Sequence, residues 1–215
     1  AYETSGGLHG VGLSVVNALS DRLDVEVTRN KTVWKQSYAC GIPKSKPLNT
    51  GKSSNKRGTS ISFHADPQIF GKEAHFQPKI IYRIAQSKAY LFRGVEIRWS
   101  CAEKLIKGED STPAIATLHF PNGLADYLAS TLENRKTLTH KYFTGQAKLN
   151  GSGGKAEWAI AWPIDEFEYF KSYCNTIPTP LGGTHESGLR GAIVKGLKAH
   201  GELVSNRNAS KLTAD

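Results

Sequence analysis

A glycine-rich turn near the start of the chain constrains its fold more than any other feature. Residues 6–12 read GGLHGVG and lead directly into LSVVNAL, a run typical of a helix. Glycine allows positive φ and close backbone approach, and the first turn of a helix carries unpaired N–H groups and the positive end of the dipole. Such a turn can hold phosphate groups. The pattern alone is equally compatible with a tight turn that begins a buried helix.

Two better-known phosphate-binding motifs are excluded by single positions. In the dinucleotide fingerprint G-x-G-x-x-G, the third glycine position is occupied by Val15. In the P-loop pattern, Lys46 stands where the first glycine is required, and its surroundings are typical of a loop. What remains is a G-x-x-G-x-G pattern that is weak by itself.

Longer segments carry a more specific resemblance. Residues 2–20 (YETSGGLHGVGLSVVNALS) resemble the lid motif of the bacterial type IIA topoisomerase ATPase subunits, gyrase B and topoisomerase IV B. Residues 57–63 (RGTSISF) resemble the family's G-T strand, and residues 182–190 (GGTHESGLR) a turn and helix start in its transducer domain. Residues 87–99 are more similar to topoisomerase IV B than to gyrase B. The resemblance extends from one end of the chain to the other.

The resemblance implies an α+β fold in two parts. Residues 1–119 would form the C-terminal part of a GHKL (Bergerat-type) ATPase domain that lacks its N-terminal part. Residues 120–215 would begin the transducer domain, a left-handed βαβ fold. The pattern of alternating strands and helices agrees with α+β layers.

The resemblance also implies an ATP site. The lid residues would contact the phosphates, largely through backbone N–H groups, and Thr59 would help to hold the adenine through its hydroxyl or a water. Arg29 aligns with an arginine at the mouth of the family's pocket, although an ordinary surface arginine at a strand end is equally compatible. The expected ATP-binding residues are Gly7, Leu8, His9, Gly10, Val11, Gly12, Leu13, Ser14 and Thr59.

Several family residues have no counterpart in this sequence. The chain opens with Ala1-Tyr2 inside a motif and contains no Met. The family's general-base Glu, its Mg²⁺-binding Asn and its adenine-reading Asp would precede residue 1, and its γ-phosphate lysine would follow residue 215. We therefore expect an internal fragment with no catalytic residue and no metal ligand of its own. Because hydrolysis needs a base on the attacking water, we predict that this chain alone does not hydrolyse ATP at a useful rate.

Charge and composition set further bounds. The formal net charge is +9 and the pI about 9.4, which permits attraction to polyanions. Three widely spaced cysteines without a C-x-x-C pair support neither a zinc site nor a disulfide framework, and a reducing cytoplasm fits. No apolar run is long enough to span a membrane. Candidate DNA-facing residues, for which a solvated helix face is the simpler explanation, are Lys195, Lys198, Arg207 and Lys211.

Three functions remain in competition. The first is the ATP-operated part of a type II topoisomerase of the bacterial cytoplasm and nucleoid. This polypeptide would dimerise on ATP binding around a DNA duplex and would join an A-type subunit in a heterotetramer. Within this hypothesis, a gyrase B subunit is the alternative to a topoisomerase IV B subunit. The second is a nucleotide-binding or scaffold module without turnover. The third, a mismatch-repair clamp of the same superfamily, is disfavoured by residues 182–190.

Hydrophobic periodicity predicts the elements. Strands are expected at residues 23–28, 32–39, 60–63, 95–99, 155–162 and 168–174, with a surface loop over 41–57. Helices are expected at 78–91 and 123–132 and after Thr184, whose hydroxyl would cap the helix. The predicted buried helix positions are Ile80, Ile81, Ile84, Leu91, Leu189, Ile193 and Leu197.

Overall fold

The computed structural model describes residues 10–53, 57–108, 110–149 and 153–214. The chain divides into two compact units, Gly7–Gln77 and the residues from Pro78 onward. We call their described parts the sheet unit and the C-terminal unit. The α+β class predicted from the sequence is confirmed, and every strand pair between described residues is antiparallel.

The sheet unit consists of one five-stranded sheet and two short helices. Its elements are α1 (Gly12–Ala18), β1 (Ser20–Arg29), β2 (Thr32–Ala39), β3 (Ile42–Pro43), β4 (Leu48–Lys52), β5 (Gly58–Ala65) and α2 (Pro67–Phe70). The strand order is β3-β2-β1-β5, and β4 also pairs with β2. The central strand β1 alternates apolar and polar residues, so its two faces differ in character.

The loop predicted over residues 41–57 is wrong in part, because this segment contains β3 and β4. In β4 the residues Leu48 and Lys52 lie opposite Lys35 and Thr32 of β2. All five residues of β4 are exposed, and the pairing register shifts between Val33 and Trp34. An exposed edge strand needs no apolar alternation, so the sequence pattern carried no strand signal.

The C-terminal unit alternates helices with three hairpins. Its elements are α3 (Pro78–Leu91), β6 (Glu96–Ser100), β7 (Ile115–His119), α4 (Leu124–Leu132), β8 (Phe143–Lys148), β9 (Lys155–Ile160), β10 (Tyr173–Cys174), β11 (Ile177–Pro178) and α5 (Thr184–Leu203), with 3₁₀ turns at Glu103–Leu105 and Arg207–Lys211. The hairpins pair β6 with β7, β8 with β9 and β10 with β11. Among the described residues, no helix is both long and apolar enough to cross a membrane.

The core of the C-terminal unit is aromatic. Tyr90 stacks on Tyr127 with ring centroids 3.8 Å apart, and Phe120 packs edge-on against both rings. The buried stripe predicted for α3 is wrong in part, because Ile80 and Ile84 are more than half exposed, whereas Ile81 and Leu91 are half-buried. The buried residues of α3 are Pro78, Ala89 and Tyr90, so the apolar spacing identified the buried side of this helix only in part.

Three further sequence expectations are corrected here. The strand predicted at residues 168–174 is reduced to Tyr173–Cys174, and the preceding aromatic residues make cation–π contacts instead, such as Lys171 over the ring of Tyr169. Thr184 does not cap α5, because it is the first helical residue and Gly183 is the N-cap. On the predicted buried side of α5, Leu197 is 43% exposed, whereas Leu189 and Ile193 are half-buried.

Candidate functional site

The predicted phosphate lid forms an exposed turn and the first turn of α1. Gly10 has φ +67°, a conformation that favours glycine, and an added Cβ there would meet nothing within 4 Å. The first helical bond runs from the Val15 N–H to the Val11 carbonyl at 3.0 Å, and no side chain caps the helix. The N–H groups of Gly12, Leu13 and Ser14 therefore have no partner within α1.

These three N–H groups are among those that the resemblance assigns to phosphate binding. The described lid residues Gly10, Val11, Gly12, Leu13 and Ser14 are all exposed. The remaining lid candidates, Gly7, Leu8 and His9, lie outside the described residues.

The C-terminal end of α1 is anchored to the sheet. The Ser20 hydroxyl donates to the Val16 carbonyl at 2.6 Å, and the Gly41 N–H donates to the Asn17 carbonyl at 3.0 Å. Gly41 has φ +80°, and a Cβ there would lie 3.5 Å from the Cα of Ala18. One end of the lid helix is thus fixed while its glycine-rich end is open to solvent.

The sheet register places Thr59 at one end of an apolar face. Thr59 of β5 lies opposite Val27 of β1, and Ile61 lies opposite Val25. Directly opposed residues in an antiparallel pair share a face, so Thr59 continues the row formed by these apolar side chains. A flat apolar surface with one hydroxyl at its end can accommodate a nucleobase and hydrogen-bond its edge.

Arg29 shares this face. It lies two residues beyond Val27 on β1 and is therefore a diagonal neighbour of Thr59, with Cα atoms about 7–8 Å apart. Its side chain is exposed and forms no ion pair within the described residues. The geometry is compatible with a guanidinium at the mouth of a base-binding pocket.

No hydrogen bond joins the two parts of the predicted ATP site within the described residues. The end of α1 meets β1 at Ser20, whereas Thr59 lies opposite Val27, about 23 Å farther along the strand. The apolar residues beside Thr59 were not predicted as part of the site from the sequence; they are Val25, Val27 and Ile61. The strict alternation of β1 and β5 was the signal that could have identified them.

Two cavities are formed by described residues of the C-terminal unit. One, of about 250 Å³, is lined by residues that include Arg93, Asn122, Gln146, Glu157 and Trp158. Arg93 donates through Nε to the Glu157 carboxylate at 3.0 Å, so the cationic group there is already paired.

The second cavity, of about 450 Å³, lies along α5. Its lining includes Lys195 and Lys198, two of the predicted DNA-facing residues. The other two, Arg207 and Lys211, lie in the last 3₁₀ turn. All four belong to the C-terminal unit, where α5 packs against that turn.

A phenol cluster in this unit has perturbed protonation equilibria. Burial and a hydrogen bond to Tyr173 raise the pKa of Tyr90 above its ordinary value. Burial by itself would raise the pKa of Tyr127. The Lys171 ammonium donates to the Tyr127 hydroxyl at 2.8 Å and outweighs burial, so the pKa of Tyr127 is lowered. Lys88 donates to the Thr176 hydroxyl at 2.8 Å nearby. These bonds tie α3 and α4 to residues 171–176 and are structural in character.

The donor set of the lid fits the triphosphate of ATP but supplies no magnesium ligand. Backbone N–H groups bind anions, while Mg²⁺ requires oxygen ligands such as carboxylates. In the part of the chain that the structure describes, no three His, Cys, Asp or Glu side chains come together as a metal site.

Comparison with known proteins identifies the class. The family model described as DNA gyrase B matches residues 123–215. The B subunit of DNA topoisomerase 4 from Bartonella bacilliformis is 50% identical over 215 residues, which is 100% of this chain and 31% of that protein. The chain thus spans about a third of the length of this curated relative.

Two solved structures of ATPase domains are similar to this chain. One is the 43K ATPase domain of Thermus thermophilus gyrase B in complex with an aminocoumarin. The match covers 92% of this chain and 51% of the gyrase B chain, with a TM-score of 0.74 and 26% sequence identity. The other is the topoisomerase IV ATP-binding domain of Francisella tularensis in complex with a small-molecule inhibitor. The match covers 98% of this chain and 55% of the Francisella chain, with a TM-score of 0.67 and 28% sequence identity.

The fold is therefore that of the GHKL-type ATPase domains of type II topoisomerases. By sequence along its whole length, the chain is similar to B subunits of bacterial DNA topoisomerases, and its residues 123–215 match the family model of gyrase B. Within them it is similar to the B subunits of DNA topoisomerase 4.

Proposed function

We propose that this chain supplies the phosphate lid and the adenine contact of the ATPase that drives a type II DNA topoisomerase. The observation that carries the proposal is the 50% identity to a topoisomerase 4 B subunit along all 215 residues. The geometry supports it, since the unpartnered N–H groups of α1 suit phosphates and the apolar face beside Thr59 suits a base. In this account, ATP binding closes two B subunits around a duplex, and hydrolysis resets them.

Each group has a defined role in this proposal. The N–H groups of Gly10, Val11, Gly12, Leu13 and Ser14 neutralise the phosphates, together with Gly7, Leu8 and His9. Thr59 orients the adenine, and Arg29 closes the mouth of the pocket. Bound Mg²⁺ would screen the phosphate charges, and its ligand and the general base would come from residues beyond those of this chain.

We further propose DNA, an A-type subunit and a second B-type polypeptide as partners, in the bacterial cytoplasm near the nucleoid. The boundary between ATPase and transducer parts stays a prediction at residues 119/120, supported by the family match that begins at residue 123. The alternatives are gyrase B, which the description of that family model favours, and a nucleotide-binding module without turnover.

A chimera tests the main proposal. This chain replaces the matching 215 residues of the Bartonella bacilliformis protein, and ATP-dependent relaxation of DNA is measured with the A-type subunit. We expect relaxation comparable with that of the parent. A folded chimera that binds its partner and leaves DNA unrelaxed would contradict the proposal.

Two substitutions in the chimera then test the role of Thr59. Thr59→Val keeps the β-branched shape and removes the hydroxyl, which costs about 0.5–1.5 kcal/mol and raises the KM for ATP about two- to twelvefold. Ser60→Ala is the matched control, because Ser60 lies next to Thr59 and faces the other side of β5. If both substitutions raise the KM for ATP equally, the proposed contact of Thr59 with the adenine is contradicted.

The module without turnover has its own test. The 215-residue polypeptide is assayed alone for ATP hydrolysis, and we expect none above background, because the resemblance places the family's general-base Glu outside these residues. Turnover like that of an intact homologue would overturn this part of the proposal.

A further inference from the structure

Four cationic side chains meet at one end of the sheet. Strand β1 ends at Arg29, the turn that follows contains Lys31, β4 ends at Lys52, and Arg57 directly precedes β5. The register brings these ends together, because Thr32 lies opposite both Arg29 and Lys52. We call these four cationic residues the basic sheet end.

The four charges have no counterions within the described residues. Each side chain is exposed and makes neither an ion pair nor a hydrogen bond there. Most acidic groups of the sheet unit lie elsewhere and are already engaged: these are Asp21 with His64, Asp24 with Arg22, Glu26 with Lys35, and Asp66 with the N–H of Gln68. The described acidic groups therefore leave four uncompensated positive charges at this end of the sheet.

Lys31 occupies a conformation that favours a different residue. Asn30 and Lys31 have φ +50° and +62° and form the two-residue turn between β1 and β2. Turns with two positive φ values favour glycine at the second position, because a Cβ there is strained. Compared with glycine, a lysine at this position makes the turn less stable but adds an exposed positive charge. Strain of this kind is often retained where the side chain has a function.

We propose that the basic sheet end binds the phosphate backbone of duplex DNA. Four adjacent strands span about 14 Å, and a duplex of that length presents about eight phosphate charges, enough for all four cations. The proposal rests on the proposed function only in taking DNA as the polyanion. It adds a DNA contact on the sheet unit, separate from Lys195 and Lys198 on α5.

The test measures the affinity of the full chain for a fluorescein-labelled duplex of about 20 base pairs. Fluorescence anisotropy reports binding at salt concentrations between about 50 and 300 mM. Lys31→Gly weakens binding about eightfold at about 0.1 M salt and lowers the slope of log K against log salt by about 0.9. Lys31→Gly also raises the unfolding midpoint by about 2 °C, because glycine relieves the turn. A more stable variant that binds DNA less well cannot be explained by misfolding.

Two further variants sharpen the result. Lys31→Gly combined with Lys52→Gln weakens binding about 60-fold, as two independent contacts require. Lys35→Gln is the matched control: it removes the same charge from the same sheet, but Lys35 is already paired with Glu26. We expect little change in its salt slope. Equal losses for Lys31→Gly and Lys35→Gln would mean that net charge alone attracts DNA, which would overturn the proposal.

ATP distinguishes the duplex from the nucleotide as the occupant. We expect millimolar Mg·ATP to leave duplex binding through Lys31 and Lys52 unchanged, whereas Arg29, which the proposed function places at the mouth of the nucleotide pocket, is shared with the nucleotide. Displacement of the duplex by Mg·ATP in wild type, but not in Lys31→Gly, would assign these cations to the nucleotide and refute the proposal. The chimera assay reports separately on ATP-driven relaxation, so failure of the two proposals is distinguishable.

Discussion

The packing of α5 against the last 3₁₀ turn yields a sharp stability prediction at Gly201. An alanine Cβ at this buried glycine would lie 2.0 Å from the Cβ of Ala209, whereas carbon atoms in contact are about 3.5–4.0 Å apart. The helix or the turn must move by more than an ångström. Overpacking of this size costs about 1–3 kcal/mol, and the better helix propensity of alanine returns less than about 1 kcal/mol. Gly201→Ala therefore lowers the free energy of unfolding by about 1–2 kcal/mol.

Urea unfolding followed by circular dichroism measures this effect, together with a melting midpoint lower by roughly 2–8 °C. Ala209→Gly removes the opposing Cβ, so the double variant recovers most of the loss despite the added glycine. Gly196→Ala on the same helix is the control, because its new Cβ meets nothing within 4 Å and should stabilise α5 by up to about 1 kcal/mol. If Gly201→Ala and Gly196→Ala stabilise equally, the packing of α5 described here is refuted.

Three other predictions follow from the C-terminal unit. Gly123→Ala forces a residue with φ +61° to carry a Cβ 2.9 Å from Arg93, and we expect a loss of about 1–3 kcal/mol in urea unfolding; no loss would contradict that geometry. Gly145→Ala places a Cβ 2.4 Å from the Trp158 ring, so the fluorescence of this tryptophan should shift, and an unchanged spectrum would argue against the contact. Burial raises the pKa of Tyr90, so its contribution to stability is complete below about pH 10 and declines above it; urea midpoints should fall as the pH rises above about 10, less steeply in Tyr90→Phe.

Local chemistry made several elements predictable. Helix α3 begins at Pro78 and ends at Leu91 as expected, because proline suits the first helical turn and Gly94 soon follows. The alternation of residues 23–28 and 32–39 predicted strands that the structure contains as β1 and β2, and Asn30-Lys31 forms the short turn between them.

Other features depend on tertiary context that the pattern does not contain. Strand β4 is exposed along its length and is held by pairing with β2, so no periodicity revealed it. The apolar stripe of Ile80 and Ile84 faces solvent, while the core forms around the ring of Tyr90. Burial depends on which partner an element meets, and one sequence does not specify that partner.

In the candidate site, too, some features were predictable from local residue types and others depended on tertiary context. Glycines 10 and 12 and the helix start were predictable from residue types, and the resemblance brought in Thr59. The shared face of Thr59 and Arg29 required the register of β1 against β5. The basic sheet end was equally hidden, because Lys31 and Lys52 are 21 residues apart in sequence and meet only through β2.

The most direct test of the central claim is amide hydrogen exchange in the chimeric protein, with and without a non-hydrolysable ATP analogue. Phosphates bound by backbone N–H groups should slow exchange at Gly12, Leu13 and Ser14. The first turn of α5, which also lacks a side-chain cap, should not change. Unchanged exchange in the lid at a saturating concentration of the analogue would contradict the assignment of this chain as the phosphate-binding part of a topoisomerase ATPase.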